Sequence, residues 1–174
     1  MLENLVRAGA VLALMANSAT AAVLTFDETT EGATYAEAGM TITATSDEPV
    51  RTDGVWYLDA DGMTETFSLT TGGLFDLVSI FIGHVDSTDP VTWTGYRNGV
   101  EIVSTSFSTG QGSVFTFTGF TGLDLVTVSV TGDFTDPYFD NLVYNDVAQV
   151  PEPQSLALLG MGLLGVGLSR RRKR

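Results

Sequence analysis

The sequence predicts an all-β fold, a two-sheet antiparallel β-sandwich of jelly-roll-like form. Three observations carry that expectation. Between residues 22 and 149, apolar and polar residues alternate with a period of two and show almost no helical spacing. Asn98-Gly99 lies between two such alternating runs, where both residues can take positive φ and close a tight hairpin. The other runs are separated by Gly, Asp and Asn, the residues that turns require, and the chain holds 19 glycines.

In chain order, Val23–Phe26 reads as the opening strand, followed by the acidic and polar turn Asp27–Gly32. Met40–Ala44 alternates Thr with apolar residues, and Val55–Leu58 is short and aromatic. Glu65–Leu69 follows the turn Asp59-Ala60-Asp61-Gly62. Leu77–Ile82 is the most apolar run, expected to be central and buried on both faces. Val91–Tyr96 and Val100–Ser106 flank the Asn98-Gly99 turn, and Val114–Phe117 and Leu125–Val130 flank Gly119–Gly122. Tyr138–Tyr144 closes the domain. Ten short strands with turns of this composition imply two packed sheets.

Both ends differ from this body. Residues 1–21 read as a secretory signal peptide, expected to be helical: Ala8–Ala16 is its apolar stretch, and Ala19-Thr20-Ala21 offers small residues for cleavage. Arg7 is offset by Glu3, so the charged start of that signal is weak. Residues 150–174 form three blocks. Pro151-Glu152-Pro153 fixes an extended, accessible segment, because proline locks φ and stops helix or sheet from propagating. Leu156–Leu168 is uncharged, and Arg170, Arg171, Arg172, Lys173 and Arg174 follow as a basic stop. As a helix the apolar span is about 20 Å long, against a hydrocarbon core of about 30 Å. Four of its thirteen residues are glycine, which weakens both helicity and insertion. A short transmembrane helix that holds the chain only temporarily is the expectation; a buried C-terminal helix with a basic tail is the alternative.

The order Pro-Glu-Pro, short Leu/Gly-rich span and Arg cluster resembles the PEP-CTERM sorting signal of Gram-negative bacteria. Pro151, Glu152 and Pro153 match its signature, Leu156–Leu168 its span and Arg170–Arg174 its basic end. The resemblance implies an exported protein, inserted transiently in the inner membrane and processed by an exosortase, an integral-membrane cysteine peptidase. Its expected destination is the cell surface or the extracellular, exopolysaccharide-containing matrix. The opening Leu-Thr-Phe-Asp-Glu, the hairpin Gly-Tyr-Arg-Asn-Gly and the closing Tyr138–Tyr144 are similar to the jelly-roll cores of such exoproteins, which resemble carbohydrate-binding modules. That likeness implies a fold and, as one alternative, a lectin-like role.

Charge narrows the partners. Nineteen of the 21 acidic residues lie in residues 22–149, where Arg51 and Arg97 are the only basic residues, a net charge of −17. Such a body disfavours nucleic acid and anionic membrane surfaces. Cations and neutral polysaccharides remain compatible, as does a role of the charge in solubility alone. The chain has no Cys, which removes thiol catalysis and thiolate metal sites.

No catalytic constellation stands out. His84, the one histidine, precedes Asp86 and Ser87, but no Gly-x-Ser-x-Gly sequence occurs, and an edge histidine is the plainer reading. Asp27 and Glu28 end the first expected strand, and Asp140 lies in the last; if those strands are neighbours, their oxygens are candidates for a structural calcium. Asp59-Ala60-Asp61-Gly62 resembles a piece of a calcium loop without its later ligands. Solvated turns are the plainer reading of both groups. Trp56, Tyr57, Trp93 and Tyr96 are candidates for a sugar-stacking platform or for the core. Trp56 and Tyr57 are adjacent in a strand, so they point to opposite faces and one of them is the better candidate for exposure. The expected function is therefore a non-catalytic exported surface or matrix protein, without a required cofactor; carbohydrate binding is the alternative, and a secreted polysaccharide hydrolase is less favoured.

Overall fold

The computed structural model describes residues 21–58, 63–85, 90–108, 110–132 and 137–147. The expected signal helix, apart from Ala21, and the expected transmembrane helix lie outside these residues. Among the described residues there is no helix, and thirteen strands form. They run β1 (Ala21–Leu24), β2 (Thr30–Gly32), β3 (Thr34–Glu37), β4 (Met40–Ala44), β5 (Val50–Thr52) and β6 (Trp56–Tyr57). There follow β7 (Thr64–Thr70), β8 (Leu74–Val85), β9 (Val91–Arg97), β10 (Val100–Phe107), β11 (Gly110–Thr116), β12 (Leu125–Thr131) and β13 (Tyr138–Val147).

The strands build two antiparallel sheets packed face to face. The seven-stranded sheet has the order β11-β8-β13-β6-β5-β2, with β1 also paired to β13. The six-stranded sheet has the order β10-β9-β12-β7-β4-β3. From β6 onward the chain crosses repeatedly between sheets, and only the β9–β10 hairpin stays within one. The all-β sandwich expected from the sequence is present, and the first and last strands lie side by side.

Alternation along each strand fixes which residues meet between the sheets. Trp56 and Phe139 come from the seven-stranded sheet, Phe67 and Trp93 from the six-stranded one, and all four are fully buried. The Trp56 and Trp93 rings meet edge to face across the interior, 6.0 Å apart at 83°. Trp56 also contacts Phe67 at 5.5 Å and Phe26 at 5.9 Å, while Trp93 contacts Phe117 at 5.1 Å. Edge-to-face geometry suits the positive rim and negative face of aromatic rings.

Several expectations need correction. Thr30–Gly32 forms β2, paired to β5, where an acidic turn was expected. Strands β2, β3 and β5 are short and polar, so burial on one side only leaves no strong alternation to read. Leu77–Ile82 is part of the longer β8, which lies one place in from the sheet edge. Its inner residues Leu77, Ile80 and Ile82 are buried, but Val78, Ser79 and Phe81 are partly exposed. It is therefore covered on one face, as in most antiparallel sandwiches.

The sheet interior accounts for most of the stability. Trp56→Ala is expected to destabilise the fold by roughly 3–5 kcal/mol through cavity formation, whereas Tyr57→Ala next to it should cost much less. Urea denaturation of the two variants checks the contrast.

Candidate functional site

Two clusters of polar and aromatic side chains emerge from this architecture. The first is structural in character and has no signature in the sequence. Glu37 ends β3 on the same strand face as Tyr35. Its carboxylate accepts hydrogen bonds from the Thr25 amide at 2.9 Å, the Phe26 amide at 3.0 Å, the Thr25 hydroxyl at 2.9 Å and the Tyr35 hydroxyl at 2.7 Å. Two successive amides aimed at one anion form a nest, which requires an unusual backbone turn. Phe26 provides it with φ of 55°, the left-handed region rarely used by a bulky residue.

The next two residues after Glu37 continue this junction. Ala38 and Gly39 have φ of 51° and 94° and close the β3–β4 hairpin with a tight turn. Tyr144, fully buried on β13, donates its hydroxyl proton to the Ala38 carbonyl at 2.5 Å. One hairpin of the six-stranded sheet is thereby tied to both ends of the chain's path through the other sheet, beside β1 and at β13. Burial raises the Glu37 pKa, but the bonds from Thr25, Tyr35 and Phe26 outweigh that effect and leave it below 4.5. Burial and then Glu37 itself push the Tyr35 hydroxyl upward.

Asp140 lies nearby in β13. The register against β8 shifts between Asp140 and Val143, and Asn141 in that bulge has φ of 48°. The Asp140 carboxylate accepts from the Asn141 amide at 2.6 Å and from its side-chain amide at 2.7 Å. Burial raises its pKa; the Asn141 bond opposes this, and repulsion from Asp27 and Glu37 adds to it. The charge of Asp27 thus reaches Asp140, as the adjacency of first and last strands suggests. Among the described residues, however, no group of three or more acidic or histidine side chains is arranged to hold a metal. The Asp59–Gly62 turn lies outside those residues.

The second cluster is on the outer face of the seven-stranded sheet. Because Trp56 and Phe139 point inward, their neighbours Tyr57 and Tyr138 point outward, and the two tyrosines are register partners on β6 and β13. Their rings lie 6.0 Å apart. His84 on β8 is the partner of Tyr138 on its other side, with rings 6.5 Å apart and only 24° from parallel. All three residues are half-buried. The register continues outward to Gln111 on β11, opposite His84, and to Arg51 on β5, opposite Tyr57. Arg51 in turn pairs with Glu31 of β2 and lies 3.7 Å from its carboxylate.

The four aromatics considered from the sequence do not form one platform. Trp56 and Trp93 are core residues, Tyr57 lies outside one sheet and Tyr96 lies on the other sheet. Tyr138 escapes sequence reasoning because its partnership with Tyr57 depends on a pairing more than 80 residues away in the chain. Of the residues near His84, Asp86 and Ser87 lie outside the described residues. The same holds for the sorting residues Pro151, Glu152 and Pro153 and for the basic group Arg170–Arg174.

Comparison with known proteins adds two findings. Residues 149–173 match the PEP-CTERM protein-sorting motif. A signal of that type implies an exported protein with a C-terminal membrane-anchoring segment, processed by an exosortase. Among solved structures the chain is similar to the carbohydrate-binding module TmCBM61 in complex with β-1,4-galactotriose. The identity is 17%, the TM-score 0.34, and the alignment covers 62% of this chain and 81% of that one. No curated protein sequence matches the chain.

The acidic groups make opposite predictions with pH. Glu37 has a lowered folded pKa, so its stabilisation is present above 4.5 and is lost as pH falls through its folded value. Glu37→Ala should remove that loss and, at neutral pH, destabilise by roughly 1–3 kcal/mol, because donors lose their acceptor. Asp140 has a raised pKa, so its charged form disfavours the fold, and the penalty appears as pH rises through its folded value. Asp140→Asn should therefore raise the melting temperature at neutral pH and have little effect in acid. Thermal melts from roughly pH 3 to roughly pH 8, a window that brackets the ordinary carboxylate titration at about 4, check both signs.

Proposed function

We propose that this chain is a non-catalytic exported protein of a Gram-negative bacterium, delivered to the cell surface or to an exopolysaccharide matrix. In this reading residues 1–21 direct export, residues 22–149 are the cargo and residues 150–174 are a removable address. The sorting motif at residues 149–173 is the observation that carries it. Pro151, Glu152 and Pro153 present the recognition segment to the exosortase. Leu156–Leu168 holds the protein in the inner membrane, and Arg170–Arg174 stops translocation with the cations on the cytoplasmic side.

One feature supports a cargo that binds or builds. The net charge of −17 in residues 22–149 keeps the released domain soluble and disfavours nucleic acid as a partner. A second reading, carbohydrate binding, is favoured by one specific observation: Tyr57 and Tyr138 present neighbouring rings on the outside of a sheet.

Delivery by this route is tested directly in the native host. Glu152→Ala and deletion of Arg170–Arg174 should each leave full-length protein in the inner membrane, seen as an unshifted band on immunoblots of fractionated cells. Normal maturation of both variants would overturn the proposal.

A further inference from the structure

Gly83 is buried within β8, although it sits where the strand faces outward beside Tyr138. A Cβ built at this position would lie 1.8 Å from Cε2 and 2.3 Å from Cδ2 of Tyr138. The tyrosine ring therefore lies across the strand at Gly83, in space that any other residue would fill. The register shift between Tyr138 and Phe139, opposite His84 and Ile82, is what places the His84 and Tyr138 rings on the same face. The outcome is a row across the sheet: Gln111, His84, Tyr138, Tyr57, Arg51 and Glu31, each the register partner of the next. At the usual spacing of strands the row is about 24 Å long.

We propose that this row is a binding strip for a neutral polysaccharide chain lying across the strands, with Tyr138 and Tyr57 as stacking residues and Gly83 as the positioning residue. The proposal rests on the carbohydrate-binding reading above and names its site and ligand class. Pyranose rings have an apolar face of C–H groups that packs on an aromatic ring, and equatorial hydroxyls that need hydrogen-bonding groups at the margins. The three rings supply the first requirement. Gln111 at one end, and Arg51 and Glu31 at the other, supply the second, with donors and acceptors at both ends.

Charge selects among polysaccharides. Asp140 stands two residues along β13 from Tyr138, and the whole segment of residues 22–149 carries −17. Uronate-rich or sulfated polymers are repelled by such a field, whereas a neutral chain is unaffected. The rings alone have a simpler use, since an aromatic residue often covers a glycine in a neighbouring strand and stabilises the sheet. That use accounts for Tyr138 over Gly83. It does not require rings on either side of Tyr138, where Tyr57 and His84 stand at 46° and 24° to its plane.

The test is affinity electrophoresis of the full chain in mild detergent, through gels containing dextran, glucomannan, galactan or alginate. At least one neutral polymer should retard the protein, and alginate should not. Tyr57→Ala and Tyr138→Ala should each weaken retardation by about tenfold, the upper end of what one aromatic contact contributes. Tyr138→Phe, which keeps the ring, should bind as the unsubstituted chain does. Gly83→Ala should weaken binding while removing no aromatic group, and Tyr96→Ala on the other sheet should change nothing. Thermal melts of every variant separate lost binding from lost folding; if Tyr138→Ala unfolds, Tyr57→Ala decides the site. Retardation that persists in Tyr57→Ala overturns the site and leaves the carbohydrate reading standing. Absence of retardation by every neutral polymer, or preference for alginate, overturns both.

Discussion

The contact between Trp56 and Trp93 sets the orientation of the strands around it. Each ring comes from a different sheet, and each is fully buried against the other. A side chain of that size can be accommodated only in the space between sheets, so it fixes the phase of its strand. Once Trp56 points inward, Tyr57 must point outward. Phe139 is the register partner of Trp56, so Tyr138 follows the same rule. The outer aromatic row is a consequence of core packing, and a slip of one residue would exchange the core and surface residues of β6.

A second constraint closes one end of the sandwich. The β3–β4 hairpin belongs to the six-stranded sheet, but its Glu37 and Ala38 bond to groups at the seven-stranded one. Glu37 holds an anionic charge near other carboxylates, which is favourable only because four donors converge on it. Phe26 is held in a left-handed conformation by the same bonds and places its ring 5.9 Å from Trp56. Local backbone strain and core packing are thus linked through one carboxylate. The surface ion pairs of Arg51 with Glu31 and Glu48, both at 3.7 Å, contribute little by comparison, since they are exposed to solvent.

Acidic charge and sorting tail have complementary physical roles. The tail carries five cations beside a short apolar span, and residues 22–149 carry a large negative charge. A basic cluster resists translocation, whereas an acidic, disulfide-free sandwich can fold in any compartment without redox chemistry. An anionic body of this kind repels anionic polymers and nucleic acids alike. Contacts between uncharged groups, aromatic stacking among them, are insensitive to ionic strength.

How much of this is legible in the residues differs from element to element. Asn98-Gly99 announces its hairpin directly: both residues have positive φ in the structure, 53° and 75°. Ala38-Gly39 makes an equivalent turn without such a signal, because alanine has no intrinsic preference for that conformation. Its carbonyl is instead held by Tyr144, 106 residues distant. The alternation around Trp56 and Tyr57 shows that one of the two is the candidate for exposure, but not which one. The sequence alone determined the all-β class, the charge of the body and the three blocks of the sorting tail, since each depends on local pattern or composition. Only the tertiary structure decided that Tyr57, Tyr138 and His84 share a row and that Glu37 is a hub. Those arrangements depend on strand order and register, which are set by the packing of residues far apart in the chain.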